Sequence, residues 1–444
     1  MKNFVLWIMI LAAVALATSA PAHAQYKCFY GNLHSHTSYS DGQSVPEVAY
    51  AYARITAGIH VLALTDHNNS PDDLNELLYQ RTRYVADSMT VSGSFVALAG
   101  QEIGKTSGFG HIACFDAPAL SPYFNSWSDL TACYQWIREQ NKPAMYCHPM
   151  LFSPNDFALF LYYPAYDKAM DMLEVVNQDG NYEKQYLLAL LRGWQIGASA
   201  NQDNHYHDWG TASSDGLIPL TGIWADTLTR EGILEALQAR RTFAVRTKTG
   251  TGRIQLSLRA DDRWMGERYL REAGSVELEI YARSPDDVFK RLDLYSDGVV
   301  IDSLLVNQKI VSWRLSKPIG VGAHYFFVKV RQDGGGTAWS SPAFVEVPPQ
   351  DKEGKVFTWP TPVTESARIV FAPIDGVTSV TVDIYNLAGA RVWHAASTNP
   401  MASVYWDGRD AGSKLMPNGV YIILVEQQSP AQTKLSKGKT MVSR

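Results

Sequence analysis

Cysteine is scarce in this 444-residue chain: four residues, Cys28, Cys114, Cys133 and Cys147, with no CxxC pair among them. That spacing excludes zinc ribbons and dithiol redox motifs. It leaves open either one or two disulfides or four buried free thiols. Positive charge is not in excess. Lys and Arg total 39 against 44 Asp and Glu, a net charge of −5, so no overall basic field exists to hold a nucleic-acid backbone and nucleic acid is not an expected partner. Beyond the N-terminus no segment approaches 18 uninterrupted apolar residues, so the mature chain is expected to have no transmembrane segment. A repeat of fixed period is also missing.

The apolar run that does exist covers residues 4–17, behind Lys2 and ahead of Ala22-His23-Ala24. A positive start, a run too short for a comfortable span and a small-x-small site read as a signal peptide over 1–24. The mature chain is then expected to start near Gln25 and to be secreted or held at the cell surface.

Hydrophobic residues make up 46% of the sequence, enough at this length for about three packed domains. Over 25–246, short apolar runs at 28–33, 60–65, 95–101, 111–115, 144–147, 172–176, 196–200 and 222–225 alternate with helical patterns at 45–57, 72–88, 127–139, 182–194 and 230–241. That alternation predicts an α/β domain, a (β/α) barrel with some distortion. Ser44 with Pro46, and Ser70 with Pro71, read as helix starts. From 247 to 347 strands alternate polar and apolar residues between turn signals, which predicts a β-sandwich. A polar, Pro-containing linker follows at 348–356, and a second β module occupies 357–444.

Histidine carries the most information. Eight of the 11 histidines fall between His34 and His207. Six short pieces place ligand-type residues at or beside predicted strand ends: His34-Ser35-His36 with Asp41, Asp66-His67, Glu102, His111, His148, and Asp203-Asn204-His205. In an extended segment residues i and i+2 point to one side, so His34 and His36 can chelate one cation. Six histidines with Asp41, Glu102 and Asp203 exceed the needs of one tetrahedral ion, and a multinuclear site is the economical reading. Imidazole and carboxylate together suit zinc, manganese or iron. Such ions make hydroxide available without a Ser or Cys nucleophile.

Glu102, His207 and Asp66 are the candidate catalytic residues: His207 as proton donor to a leaving group or else a loop histidine without catalytic duty, and Asp66 as a group orienting a ligand or capping a helix. Lys105 is placed to meet an anionic substrate or is a surface lysine, and Asn177, Gln178 and Asp179 follow a strand and line the mouth. Cys147, one residue before His148, is expected on the opposite face of its strand, and His60 is expected to be structural.

The ordered series HSHTSYSDG, LTDHN, GQEIG, GHIACF, CHP and QDNH resembles the polymerase-and-histidinol-phosphatase (PHP) family over about residues 28–245. The resemblance implies a distorted (β/α)7 barrel holding two or three divalent ions. It further implies that His34 and His36 bind a first metal with Glu102 and Asp203, that Glu102 bridges to a second held by His111 and His148, and that Asp41, His67 and His205 hold a third. The commoner Gly-Ser-Asp-x-His is here Asn201-Gln202-Asp203-Asn204-His205, which keeps both ligands and changes their neighbours. The middle β domain is similar to the appendage of exported members related to carbaryl hydrolase. Segments such as Trp406-Asp407-Gly408-Arg409-Asp410 and Asn418-Gly419-Val420-Tyr421 resemble the hook-capping Ig-like module, which implies type IX sorting and a secretion-machinery partner. A plain β-sandwich with surface-binding duties is the alternative for that module. The expected activity is hydrolysis of a phosphoester or other small-molecule substrate. Ester, amide or carbamate hydrolysis is the alternative, and a non-catalytic surface-binding protein is the second.

Overall fold

Strand β1 (Lys27–Asn32) opens the chain described by the computed structural model, which covers residues 26–68, 73–105, 109–122, 130–151, 153–163, 166–347, 355–359, 361–363, 366–397 and 403–443. The expected signal segment 1–24, the Ser70-Pro71 helix start and most of the expected linker lie outside these residues. After β1 come α1 (Pro46–Ile55), β2 (Val61–Leu64), α2 (Glu76–Met89), β3 (Val96–Lys105), β4 (Gly110–Phe115), α3 (Leu130–Gln140) and β5 (Ala144–Cys147). A four-residue turn, α4 (Phe157–Phe160), leads to β6 (Met172–Asn177), β7 (Gly180–Asn181), α5 (Glu183–Arg192), β8 (Gly197–Asn201), β9 (Leu217–Ala225), α6 (Arg230–Gln238) and β10 (Thr242–Lys248).

The helices follow the predicted amphipathic runs, with different starts. Pro46 occupies the first turn of α1 as expected, but the capping residue is Val45, without a side-chain bond, and Ser44 sits at φ 62° with its hydroxyl on His207. Helix α2 starts at Glu76, where Asn75 Oδ1 accepts from Leu78 N at 3.0 Å, so a later Asx cap replaces the expected Ser-Pro start. Helix α1 buries Ala49, Tyr50 and Ala53, and the Tyr50 hydroxyl donates to Leu98 O on β3 at 2.8 Å. A face spaced i, i+1, i+4 packs onto the sheet and turns its charged residues outward.

Strands β1, β2 and β3 run parallel, as do β5, β6 and β8, and β4 lies antiparallel between β3 and β5. β9 and β10 add antiparallel strands on the other side of β1. This is the distorted α/β barrel expected. β9 begins at Leu217, earlier than the expected 222, and β10 is a strand that the apolar pattern did not reveal. Side chains stitch the seam between β1 and β8: Leu33 N donates to Asn201 Oδ1 at 2.8 Å, and Gln202 N to Asn32 Oδ1 at 3.1 Å. Buried backbone groups need partners, and two asparagines supply them where no ladder forms.

The middle sandwich is continuous with the barrel sheet. Its strands are β11 (Gln255–Ala260), β12 (Arg263–Trp264), β13 (Arg268–Leu270), β14 (Gly274–Arg283), β15 (Phe289–Ser296), β16 (Val299–Gln308), β17 (Ile310–Ile319), β18 (Gly322–Gln332), β19 (Thr337–Ser340) and β20 (Ala343–Val347). β10 pairs with β19, with Val245 opposite Ala338, so the ladder crosses the expected boundary at 246. One apolar cluster runs through both parts, from Tyr50 and Phe95 to Leu256, Phe289 and Val328. The β12-β11-β14-β17 sheet forms the other layer. A third body is a seven-stranded sheet, β24-β23-β26-β27-β21-β22-β25, built from β21 (Lys355–Trp359), β22 (Ala367–Phe371), β23 (Ser379–Tyr385), β24 (Arg391–Ser397), β25 (Ser403–Trp406), β26 (Gly419–Gln428) and β27 (Thr433–Val442). All four cysteines are free. Among the described residues no helix is long and apolar enough to cross a membrane.

Candidate metal centre

The extended backbone of β1 continues through His34 and His36. Thr65 N donates to Ser35 O at 2.8 Å on one side, and His36 N donates to Asn204 O at 2.7 Å on the other. Pinned from both sides, the two rings point inward, and both residues are fully buried. Gly42 permits the turn that follows, since a Cβ there would stand 2.6 Å from His36 C. Trp209 Nε1 reaches His36 O at 3.3 Å.

Glu102 on β3 is the centre of the arrangement and is fully buried. Its Oε2 lies 3.2 Å from His34 Nε2, 3.2 Å from His36 Nε2 and 3.1 Å from His67 Nδ1. Its Oε1 faces His111 Nδ1 at 2.8 Å and His148 Nε2 at 3.1 Å. One carboxylate thus presents each oxygen to a different group of imidazoles. Asp203 Oδ1 stands 3.3 Å from His34 Nε2 and 3.0 Å from His36 Nε2. An outer group is formed by His36, Asp41, His67 and His205, with His205 Nε2 at 3.2 Å from Asp41 Oδ1. All nine residues expected as ligands therefore converge at one mouth. His34, His36, Glu102, His111 and His148 are buried and Asp203 and His67 are partly so, whereas the Asp41 side chain is 57% exposed.

The donor set fits divalent cations. His34 Nε2, His36 Nε2, His67 Nδ1 and Glu102 Oε2 are buried and have no hydrogen-bond partner among the described residues, a costly state for polar atoms unless something is placed between them. Their 3.1 to 3.2 Å separations match the edge of about 3.0–3.4 Å set by metal–ligand bonds of about 2.1 Å. Two backbones on the site are strained: His148 at φ 24° and Asp203 at φ 49° occupy a region that non-glycine residues rarely adopt.

Charge follows the same geometry. Burial disfavours the His36 cation, but Asp203 and Glu102 outweigh it and raise His36 to about 10. For His67 burial prevails over Glu102 and the ring is held down to about 4, leaving a neutral imidazole with a lone pair to give. Asp203 is pulled well below the usual carboxylate range, against its burial, by His34 and His36. Every ion pair of Glu102, Asp203 and Asp41 among the described residues is with a histidine.

The other expected site residues are placed around this centre. Asp66 is buried and accepts from Thr37 N at 2.7 Å, Thr37 Oγ1 at 2.8 Å and Ser40 Oγ at 2.8 Å. Those bonds occupy its carboxylate, so it positions the His36 turn instead of meeting substrate, and it caps no helix. His207 is exposed and its Nδ1 is engaged by Ser44 Oγ at 2.8 Å, outside the donor groups. The Lys105 side chain lies outside the described residues. Cys147 does not leave the site as its alternation suggested: with His34 and Glu174 it forms a further buried group, and burial pushes its thiol up, so it is a neutral floor residue.

Glu174 on β6 was missed. It is fully buried; Oε1 meets His34 Nδ1 at 3.1 Å and accepts from Asn201 Nδ2 at 3.0 Å, while Oε2 accepts from His148 N at 2.7 Å and Asn177 Nδ2 at 2.8 Å. A single acid inside the apolar run Met172-Leu173-Glu174-Val175-Val176 was the available signal, because a buried carboxylate needs partners.

No protein-family model and no curated protein matches the chain. Among solved structures it is similar to a two-domain Bacteroides vulgatus protein containing a predicted PHP-like metal-dependent phosphoesterase, at 16% identity and TM-score 0.42, covering 72% of this chain and 96% of that one. Fibronectin(III)-like modules of Clostridium thermocellum CbhA match at 15% identity and TM-score 0.17, over 42% of this chain and 94% of theirs. Latent PorU of Porphyromonas gingivalis matches at 13% identity and TM-score 0.18, over 51% of this chain and 24% of its own. Likenesses this loose assign no role to any residue.

Proposed function

We propose that the chain is an exported metal-dependent hydrolase whose nine-residue centre holds two or three divalent cations and cleaves a phosphoester. The observation that carries this reading is Glu102, with separate oxygens turned to two sets of imidazoles, the first of which, His34, His36 and His67, presents buried nitrogens without a hydrogen-bond partner among the described residues. Bound there, zinc, manganese or iron would supply an activated water at neutral pH and neutralise charge building on the substrate oxygens. Glu102 keeps the two donor groups in register, Glu174 orients His34, and Asp66 fixes the turn that carries His36. His207 keeps Nε2 for a leaving group while Ser44 holds its other nitrogen. The substrate is a small molecule and not a nucleic acid; the third module serves sorting or surface attachment.

A second reading, hydrolysis of an ester, amide or carbamate, is favoured by the absence of Lys or Arg in any ion pair with the centre's carboxylates among the described residues, since phosphate monoesters are commonly clamped by such groups. Chelator-free protein supplied with manganese or zinc and assayed in parallel on p-nitrophenyl phosphate, bis-p-nitrophenyl phosphate and p-nitrophenyl acetate tests both. Turnover of either phosphate supports the first reading; turnover of acetate alone overturns it in favour of the second.

A further inference from the structure

Where α5, the middle sandwich and the third sheet meet, a cavity of about 280 Å³ is lined by Leu190, Leu191, Tyr325, Trp359, Arg368 and Tyr405. Three features of this lining do not fit a simple packing junction. Tyr325 is 5% exposed, yet its hydroxyl has no hydrogen-bond partner among the described residues. Among the described residues Arg368 forms no ion pair, and its one hydrogen bond is a 3.5 Å contact to Ser403 Oγ. The nearby carboxylate, Asp297, is already occupied by His324 Nδ1 at 2.7 Å and by Tyr325 N at 2.9 Å. A buried donor without an acceptor is costly, and a guanidinium in the same lining presents a planar fork suited to an oxyanion.

We infer that this junction is a binding site for a small organic anion, its carboxylate or phosphate taken by Arg368 with the Tyr325 hydroxyl, and its apolar body set against Trp359, Leu190 and Leu191. The volume lies near the lower end of small-ligand sites, about 300–1,000 Å³, and exceeds what a lone inorganic ion fills. Because the three bodies each contribute lining residues, an occupant ties the third sheet to the rest and stabilises the folded chain by mass action.

The test uses the full mature chain in EDTA, so that no cation at the barrel mouth recruits the anion. Benzoate and inorganic phosphate are titrated separately by calorimetry, with the thermal midpoint followed in parallel. Wild type is expected to bind benzoate saturably and to melt higher in its presence. Arg368→Gln is expected to weaken that binding at least about tenfold, Tyr325→Phe to weaken it less, and Trp359→Ala to reduce benzoate but not phosphate binding. Inorganic phosphate binding in preference to benzoate would assign the site to a bare ion and overturn the organic-anion assignment. An isotherm unchanged by Arg368→Gln in a folded variant, or no saturable binding by wild type up to about 10 mM, overturns the site itself.

Discussion

Glu174 Oε1 meets His34 Nδ1 at 3.1 Å while His34 Nε2 faces Glu102 and Asp203. A carboxylate on one imidazole nitrogen places the proton there and leaves the other nitrogen as the donor, which also becomes more basic. Glu174→Gln keeps the shape and removes the charge. Metal affinity, read from competition with a chromophoric chelator, is expected to fall about 10–100-fold with the fold intact. Unchanged affinity would show that Glu174 only satisfies Asn177, Asn201 and the His148 amide.

Removing ligands separates the inner and outer groups. Asp41 belongs only to the outer group, whereas Glu102 touches both imidazole sets of the inner one. Asp41→Ala is expected to lose one equivalent of divalent metal by elemental analysis and to keep the rest. Glu102→Ala and His34→Ala are expected to lower turnover by more than the ~10–100-fold typical of outer contacts, with circular dichroism unchanged. Wild-type rates in either would refute the assignment, and wild-type protein carrying less than one equivalent would revive a purely surface-binding role.

Gly104 faces His111 across the β3–β4 ladder, where a Cβ would lie 2.3 Å from His111 Cδ2. Gly104→Ala must push that ring aside. A stability loss of about 1–3 kcal/mol and weaker metal retention are expected; a thermal midpoint and metal content equal to wild type would show that the ring moves freely.

Asp171, just before β6, supplies a pH dependence distinct from that of the centre. Burial raises it to about 7, against the Arg240 guanidinium and its bond from Ala144 N. An acid whose folded value lies above its unfolded one stabilises fully below the unfolded value, and that contribution is lost as pH rises through the folded value. The midpoint of Asp171→Asn minus that of wild type is therefore expected to climb between about pH 4 and 7 and then level off. A difference flat across that window would show that Asp171 does not titrate there.

The sequence made the barrel and the donor set legible for one physical reason: alternation and i, i+2 spacing are local. His34-x-His36, Asp66-His67 and Asp203-x-His205 announce themselves within three residues, at strand ends that period alone locates. What stayed hidden depends on distant partners. Glu174 gains its meaning from His34, Asn201 and His148, each at the end of another strand. Cys147 reads as facing away by alternation, but the positive φ of His148 breaks the rule at that step. β10 has few distinguishing residues, and its role comes from pairing with β9 on one edge and β19 on the other.

That last pairing bears on how such a chain can be inherited. A break after residue 246 would strip β10 of β19 and leave an open strand edge where Val245 now meets Ala338, the kind of edge that recruits other chains into aggregates. The barrel is therefore not a transplantable cassette. Recombination that preserves its chemistry must carry residues 26–347 as one block, whereas the third sheet, joined through 348–354, can be exchanged among proteins without cutting a ladder.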